Sequence, residues 1–106
     1  MANNYKNSKV DLTSTSITTL YTCPASTTAI MKSILVSDDS GSGDTITLTI
    51  TSGSDVFSMY KVKAVGANGT VELLTAALVV QASEILKVTA ATANRLHVVA
   101  SYLEIT

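Results

Sequence analysis

The segment Asp38-Asp39-Ser40-Gly41-Ser42-Gly43-Asp44 contains the densest group of side chains that could bind an ion. Carboxylate, hydroxyl and carbonyl oxygens are the ligands that Ca²⁺ prefers. The segment lacks the spacing of an EF-hand and its bidentate glutamate, and Asp, Ser and Gly are equally typical of a solvated turn. We predict a loop between two strands, and a calcium site at Asp38, Asp39 and Asp44 is the weaker hypothesis.

His97 and Cys23 are the only histidine and the only cysteine. Covalent catalysis needs a nucleophile, a base and an orienting group, and no such set can be named in this sequence. One histidine and one cysteine are too few for a zinc site, and a single cysteine excludes an intramolecular disulfide. No neighbouring residue would activate Cys23, which we expect to be a small buried side chain. We predict no enzymatic activity and no cofactor.

The charges do not indicate a nucleic-acid or membrane partner. The net charge is −1, and the seven basic residues are dispersed, with only Lys61 and Lys63 close together on one predicted strand. No aromatic ladder accompanies them, so a nucleic-acid interface is not expected. The longest apolar run, 73–80 with Thr75 inside it, is far shorter than the roughly 20 residues that cross a bilayer. The polar N-terminus lacks the apolar segment of a secretory signal, so we expect synthesis in a cytoplasm.

Carbohydrate binding is the alternative that an all-β chain requires us to consider. Such sites usually present flat aromatic surfaces, and this chain has no tryptophan and four tyrosines. Tyr5, Tyr21, Tyr60 and Tyr102 belong to separate segments. No glycan site and no small-molecule substrate is therefore indicated, although a glycan-binding β-sandwich module stays open as a hypothesis.

Alternation of apolar and polar residues defines the elements that would position these side chains. It is clearest at 45–51, where Ile46, Leu48 and Ile50 are predicted to face a core. The threonines of this strand, on its other face, would contact water or another subunit; they are Thr45, Thr47, Thr49 and Thr51. Strand 29–37 has apolar residues on both faces, with Ile30, Ile34 and Val36 on one and Ala29, Met31 and Leu35 on the other. That pattern predicts a central strand.

Turn residues separate the remaining strands. The predicted strands are 9–12, 17–22, 29–37, 45–51, 55–65, 71–74 with 78–80 as two short strands or one kinked strand, 85–90 and 95–105. On the last strand, Leu96, Val98, Ala100 and Tyr102 share one face, and His97, Val99, Leu103 and Ile105 share the other. We predict a flexible N-terminal arm over 1–8 and a single β-sandwich of about eight strands over 9–106, with jelly-roll-like or immunoglobulin-like topology.

The composition favours a protein whose surface is partly covered by neighbouring subunits. Hydrophobic residues make up 46% of its 106 residues but charged residues only 14%, against about 25% in an average soluble domain. A net charge near zero also gives little repulsion between copies. The threonine face of 45–51 and the arm, with Tyr5 and Lys6, are our candidates for intersubunit contact.

Three segments resemble small structural proteins of tailed bacteriophages. They are Tyr21–Ser37, with its Cys-Pro-Ala break before Thr-Ala-Ile-Met-Lys-Ser-Ile, Gln81–Ala90, with its Ile-Leu-Lys-Val strand, and the closing strand Ala93–Ile105. The resemblance extends over about residues 12–106 and consists of folding motifs without active-site residues. The chain departs from the pattern at Cys23, where the family often has an aliphatic residue, and in the acidic loop.

The resemblance implies a virion protein that is present in many copies and assembled in the host cytoplasm. We expect an oligomeric capsid decoration or cement subunit, whose partners are copies of itself and major capsid or other virion proteins. The alternative within the same particle is a protein associated with the tail, baseplate or fibre.

Overall fold

The computed structural model describes residues 2–106, and over this range the chain contains strands and turns without a helix. Its strands are β1 (Asn3–Asp11), β2 (Thr18–Thr22), β3 (Thr28–Asp38), β4 (Asp44–Ser52), β5 (Asp55–Val65), β6 (Thr70–Glu72), β7 (Leu78–Val80), β8 (Ile85–Ala90) and β9 (Leu96–Ile105). Residues 2–106 accordingly include no helix able to span a membrane. The predicted all-β class is confirmed.

The strands form two antiparallel sheets. Sheet A has five strands in the order β1-β9-β3-β6, with β7 also paired with β3, and sheet B has four in the order β2-β8-β4-β5. The pairing is nested: β1 pairs with β9, β2 with β8, β3 with β6 and β7, and β4 with β5. The chain therefore folds back on itself around the turn between β4 and β5, where Gly53 has a φ of 61°.

Buried side chains from both sheets form one hydrophobic cluster. On β9, Leu96, Val98, Ala100 and Tyr102 are buried, as the alternation predicts, and on β4 Ile46 and Leu48 are fully buried. Burying one large apolar side chain stabilises the fold by roughly 1.5 to 3 kcal/mol, so this cluster supplies most of the stability of the folded chain.

The prediction of which residues share a face of β3 is wrong in part. Ala29, Met31, Ile34 and Val36 are all buried on the same side, although a strict period of two would separate Met31 from Ile34. The register with β9 shifts between Met31 and Ser33, so that Lys32 is an extra residue in a β-bulge. The bulge reverses the alternation, and the central position predicted for this strand is nonetheless correct.

The segment predicted as an N-terminal arm lies largely in β1. Residues 3–8 pair with β9 in unbroken register, from Asn3 opposite Ile105 to Ser8 opposite Ala100. The prediction failed because these residues lack apolar alternation, and their pairing depends on the backbone of β9. Met1 lies outside the described residues.

Of the two alternatives predicted for 71–80, the structure has two short strands, β6 and β7, with a gap between them. The Glu72 carboxylate fills this gap, since it accepts hydrogen bonds from the backbone N–H of Ile34 at 2.7 Å and of Leu74 at 3.2 Å, and from the Ser33 hydroxyl. Burial raises the pKa of Glu72, but these hydrogen bonds outweigh it and hold the pKa below its usual value.

Candidate interaction surface

The acidic loop is organised around Asp38, which is the last residue of β3 and is 3% exposed. Its carboxylate accepts hydrogen bonds from the Ser40 N–H and hydroxyl, at 3.1 and 2.5 Å, and from the N–H groups of Gly43 at 2.9 Å and Asn68 at 3.1 Å. The Ser40 hydroxyl contributes most to lowering the pKa of Asp38, and the N–H groups of Gly43, Ser40 and Asn68 lower it further. Asp38 thus holds two loops, 38–44 and 66–69, together.

The other two carboxylates of the loop have different partners. Asp44 accepts a hydrogen bond from the N–H of Thr92 at 2.8 Å, and Asp39 lies 3.6 Å from the His97 Nδ1. Within residues 2–106 no group of three acidic, histidine or cysteine side chains is arranged to hold a metal. The Asp38 carboxylate therefore has a structural role in the loop, while the calcium site at Asp38, Asp39 and Asp44 stays a prediction.

His97 lies between two aspartates on the surface. Its Nε2 is 3.2 Å from the Asp11 Oδ1, and its Nδ1 faces Asp39. A general base must turn one ring nitrogen toward a nucleophile, and here both nitrogens face carboxylates. The buried Cys23 Sγ donates to the carbonyl of Thr27 at 3.4 Å, which fits the structural role expected for it.

A buried carboxylate that sequence reasoning missed lies at Glu104 on β9. Its side chain is 6% exposed, and Lys6 Nζ lies 2.8 Å from its Oε1. Tyr21, from sheet B, donates its hydroxyl to Oε2 at 2.5 Å. Lys6, followed by Tyr21, holds the pKa of Glu104 below its usual value, whereas burial and the bond to Glu104 raise the pKa of Tyr21. Lys6, a predicted intersubunit contact, is therefore engaged within the chain.

The threonine face of β4 is less accessible than predicted. Thr51 is only 9% exposed, and its hydroxyl is the one buried side-chain oxygen or nitrogen within residues 2–106 that lacks a hydrogen-bond partner. Thr47 uses its hydroxyl to accept a hydrogen bond from the N–H of Val62 at 3.1 Å. Thr45 and Thr49 are half-buried. The hydroxyls of Thr47 and Thr51 are thus poorly placed to contact another subunit.

Within residues 2–106 the exposed large apolar side chains lie mainly in two places, namely Tyr5, Leu35 and Val79 on the outer face of sheet A and Val56, Phe57 and Val62 on β5 of sheet B. Those of sheet A belong to a row that crosses several strands. Directly paired residues lie on the same face of a sheet, and the pairing places Tyr5 opposite Leu103, Leu103 opposite Ile30 and Ile30 opposite Val79. This apolar row, composed of Tyr5, Leu103, Ile30 and Val79, crosses β1, β9, β3 and β7. Tyr5 is 78% exposed and Val79 52%, while the two central members are half-buried.

A second apolar pair lies on the outer face of sheet A, and one end of this face carries polar side chains. Val99 lies opposite Leu35, which is 40% exposed. Beyond them Asp11 lies opposite His97, so the opposite end of the face carries the aspartates and the histidine. The sequence contained the signal for this surface, because strands 29–37 and 95–105 have apolar residues on both faces. A second apolar face indicates that the strand is covered on both sides or has a face free to bind a partner.

The tyrosines do not form an aromatic platform. Tyr21 and Tyr102 are buried and pack on each other with ring centroids 4.4 Å apart. Tyr60 is half-buried in an open groove of about 370 Å³ between β5 and residues 73–78. Tyr5 alone among the four is largely exposed.

No family model matches this chain, and neither the curated proteins nor the solved structures include a significant match to it.

Proposed function

We propose that this protein is a structural subunit of a tailed-bacteriophage particle and decorates the capsid by binding to assembled coat proteins. The observation that carries this proposal is the apolar row on the outer face of sheet A. Monomeric proteins rarely expose extended apolar patches unless these bind a partner. The resemblance of residues 12–106 to phage structural proteins supports the choice of particle.

The chemistry of this surface suits a protein partner. It combines one exposed aromatic ring, Tyr5 of β1, with aliphatic side chains of three strands, β9, β3 and β7, and it has a polar end at Asp11 and His97. Protein interfaces have this anatomy, with an apolar, aromatic centre and a polar rim. Burying a valine or leucine side chain fully contributes roughly 1.5 to 3 kcal/mol, so a few residues of this surface can supply a substantial part of the binding free energy at each site.

A decoration subunit of this kind stabilises the shell by mass action. It binds surfaces that exist only in the assembled state, and each occupied site shifts the equilibrium away from the dissociated coat protein. The small net charge of −1 allows many copies to lie close together on one shell.

We further propose that the sandwich is a jelly roll. Nested pairing is what results when one long antiparallel hairpin is wrapped into two sheets, and the eight-stranded jelly roll has this order. Here β1 with β9, β2 with β8, β3 with β6 and β7, and β4 with β5 supply four such pairs if the interrupted β6 and β7 count as one strand. An immunoglobulin-like sheet places hairpin neighbours side by side, whereas β4 with β5 is the one pair of consecutive strands here.

The test is binding to purified particles that lack the protein. We expect wild-type protein to bind in many copies and to raise the temperature at which the shells release their DNA. Val79→Thr should weaken binding about tenfold or more, because it places a hydroxyl in the apolar row. Val56→Thr on β5 is the matched control, since Val56 is 61% exposed on sheet B, and it should bind like wild type.

Three results would contradict the decoration proposal. Equal binding by the two variants would exclude the outer face of sheet A as the contact. Immunogold labelling confined to the tail would favour the tail, baseplate or fibre alternative. Glycan-array binding that is lost in Tyr5→Ala, without particle binding, would favour the glycan-binding alternative.

A further inference from the structure

Among residues 2–106, the free edge of β1 is the long sheet edge that has no bulge or other break in its register. A sheet edge exposes unpaired N–H and C=O groups, and proteins usually protect it with short strands, bulges or charges. The other edges of sheet A and sheet B have such features: β6 and β7 have three residues each, and β2 has five and a register shift. β5 has two register shifts, and Val62 within it has a φ of 56°. β1 pairs over nine residues in unbroken register.

Alternate residues of β1 direct their backbone groups toward this edge. Ala2 and Thr106 exchange two hydrogen bonds, of 3.2 and 3.0 Å, so they form a hydrogen-bonded pair of the antiparallel ladder. The residues at even positions up to Val10 therefore bond to β9. Those at odd positions turn their N–H and C=O groups away from it; they are Asn3, Tyr5, Asn7, Lys9 and Asp11. Only the Asp11 carbonyl has another partner among these groups, the N–H of Thr13 at 2.9 Å.

The charge that would normally protect this edge is neutralised within the chain. Lysine on an edge strand discourages pairing with another strand. The Lys6 ammonium lies 2.8 Å from the Glu104 carboxylate. The remaining lysine, Lys9, lies opposite Val99 and so has its side chain on the outer face of sheet A.

We propose that β1 pairs antiparallel with β1 of a second copy about a two-fold axis through Asn7, so that the two copies share one continuous sheet. This deepens the proposed function and rests on it, since a protein present in many copies has a use for contacts between them. The occupant is a second copy because β1 is complementary to itself in one register.

The register of the proposed pairing follows from the odd-numbered residues of β1, whose N–H and C=O groups face the free edge. Backbone bonds across the new edge join odd residues to odd residues, and only the register centred on Asn7 uses all nine residues of both strands. It places Asn3 opposite Asp11 and Tyr5 opposite Lys9 of the second copy, with no like charges opposed. A Lys9 ammonium near a tyrosine ring is favourable. The register centred on Lys6 would oppose two lysines directly and shorten the pairing.

The test compares two cysteine variants of the full-length protein under mild oxidation. In the proposed register the two Asn7 Cα atoms lie about 5.5 Å apart, within the range of about 4.4 to 6.8 Å that a disulfide spans. The two Asn3 Cα atoms lie about 27 Å apart at roughly 3.4 Å per residue. We expect Asn7→Cys to form a disulfide-linked dimer at least tenfold faster than Asn3→Cys. Wild type should stay monomeric on a non-reducing gel, because its only cysteine is buried.

A second variant tests the backbone bonds themselves. Asn7→Pro removes one N–H that faces the free edge and leaves the ladder to β9 intact, so it should fold normally. We expect wild type to self-associate in sedimentation equilibrium and Asn7→Pro to stay monomeric. Equal cross-linking of the two cysteine variants, or no cross-linking of either at the highest soluble concentration, would overturn the proposal. Particle binding without cross-linking would leave the proposed function standing and remove this dimer. Cross-linking without particle binding would support the dimer and contradict the proposed function.

Discussion

Lys6 on β1 and Glu104 on β9 form an ion pair of 2.8 Å, although 98 positions separate them in the sequence. The carboxylate is buried on the core side of β9, and its second oxygen accepts the Tyr21 hydroxyl from sheet B. One buried charge thereby connects the edge strand, the central part of sheet A and the opposite sheet. Each partner is needed, because a buried carboxylate without hydrogen bonds is strongly destabilising.

Tyr21→Phe tests the link between the sheets. The variant keeps the ring that packs on Tyr102 and removes one hydrogen bond to a buried carboxylate, so it should lower the free energy of unfolding by about 1.5 to 3 kcal/mol. Urea denaturation measures this loss. Tyr60→Phe is the matched control, since Tyr60 is half-buried and lies in the open groove. A similar loss in both variants would show that the hydroxyl of Tyr21 has no special role.

Glu104→Gln tests the ionisation of the same carboxylate. The pKa of Glu104 lies below its usual value of 4.5 in the folded protein. The charged carboxylate therefore stabilises the fold at pH values above 4.5, and this contribution is lost as the pH falls through the folded pKa. We expect the variant to be less stable than wild type at neutral pH, and the difference in unfolding free energy to shrink below about pH 4. Urea denaturation from pH 7 to pH 3 measures it. A difference that stays constant with pH would contradict the ion-pair account.

Asp38→Asn tests the structural role of the acidic loop. An amide places an NH₂ group toward donors that need an acceptor, so we expect the melting temperature to fall by several degrees and limited proteolysis to cleave within 38–44. Asp39→Asn is the matched control, because the Asp39 side chain is 67% exposed. Addition of CaCl₂ should leave the melting temperature of wild type unchanged. An increase with calcium that is lost in Asp38→Asn would support the calcium site instead.

The strands with clear alternation and turn residues were predictable. The predicted bounds of β5 and β8 agree with the structure, and Ile46 and Leu48 lie in the core as expected. Local pattern was sufficient there because each strand buries one face and the turns around it are marked by Gly, Ser or Asn.

Features that depend on pairing could not be read from local pattern. β1 has no apolar alternation, so its strand character comes from the backbone of β9, and the bulge at Lys32 shifts the faces of β3 by one residue. The burial of Glu104 depends on Lys6 and Tyr21, which lie far away in the sequence. The apolar row was visible in part, since β3 and β9 are apolar on both faces, but the order of the strands was needed to assemble it.

The most direct test of the capsid-decoration proposal is a cryo-EM map of the particle that contains this protein. We expect density for the two-sheet domain in many symmetry-related copies on the outside of the shell, with Tyr5, Ile30 and Val79 against coat protein. Density found only on the tail, or copies on the shell whose apolar row faces solvent, would contradict that account.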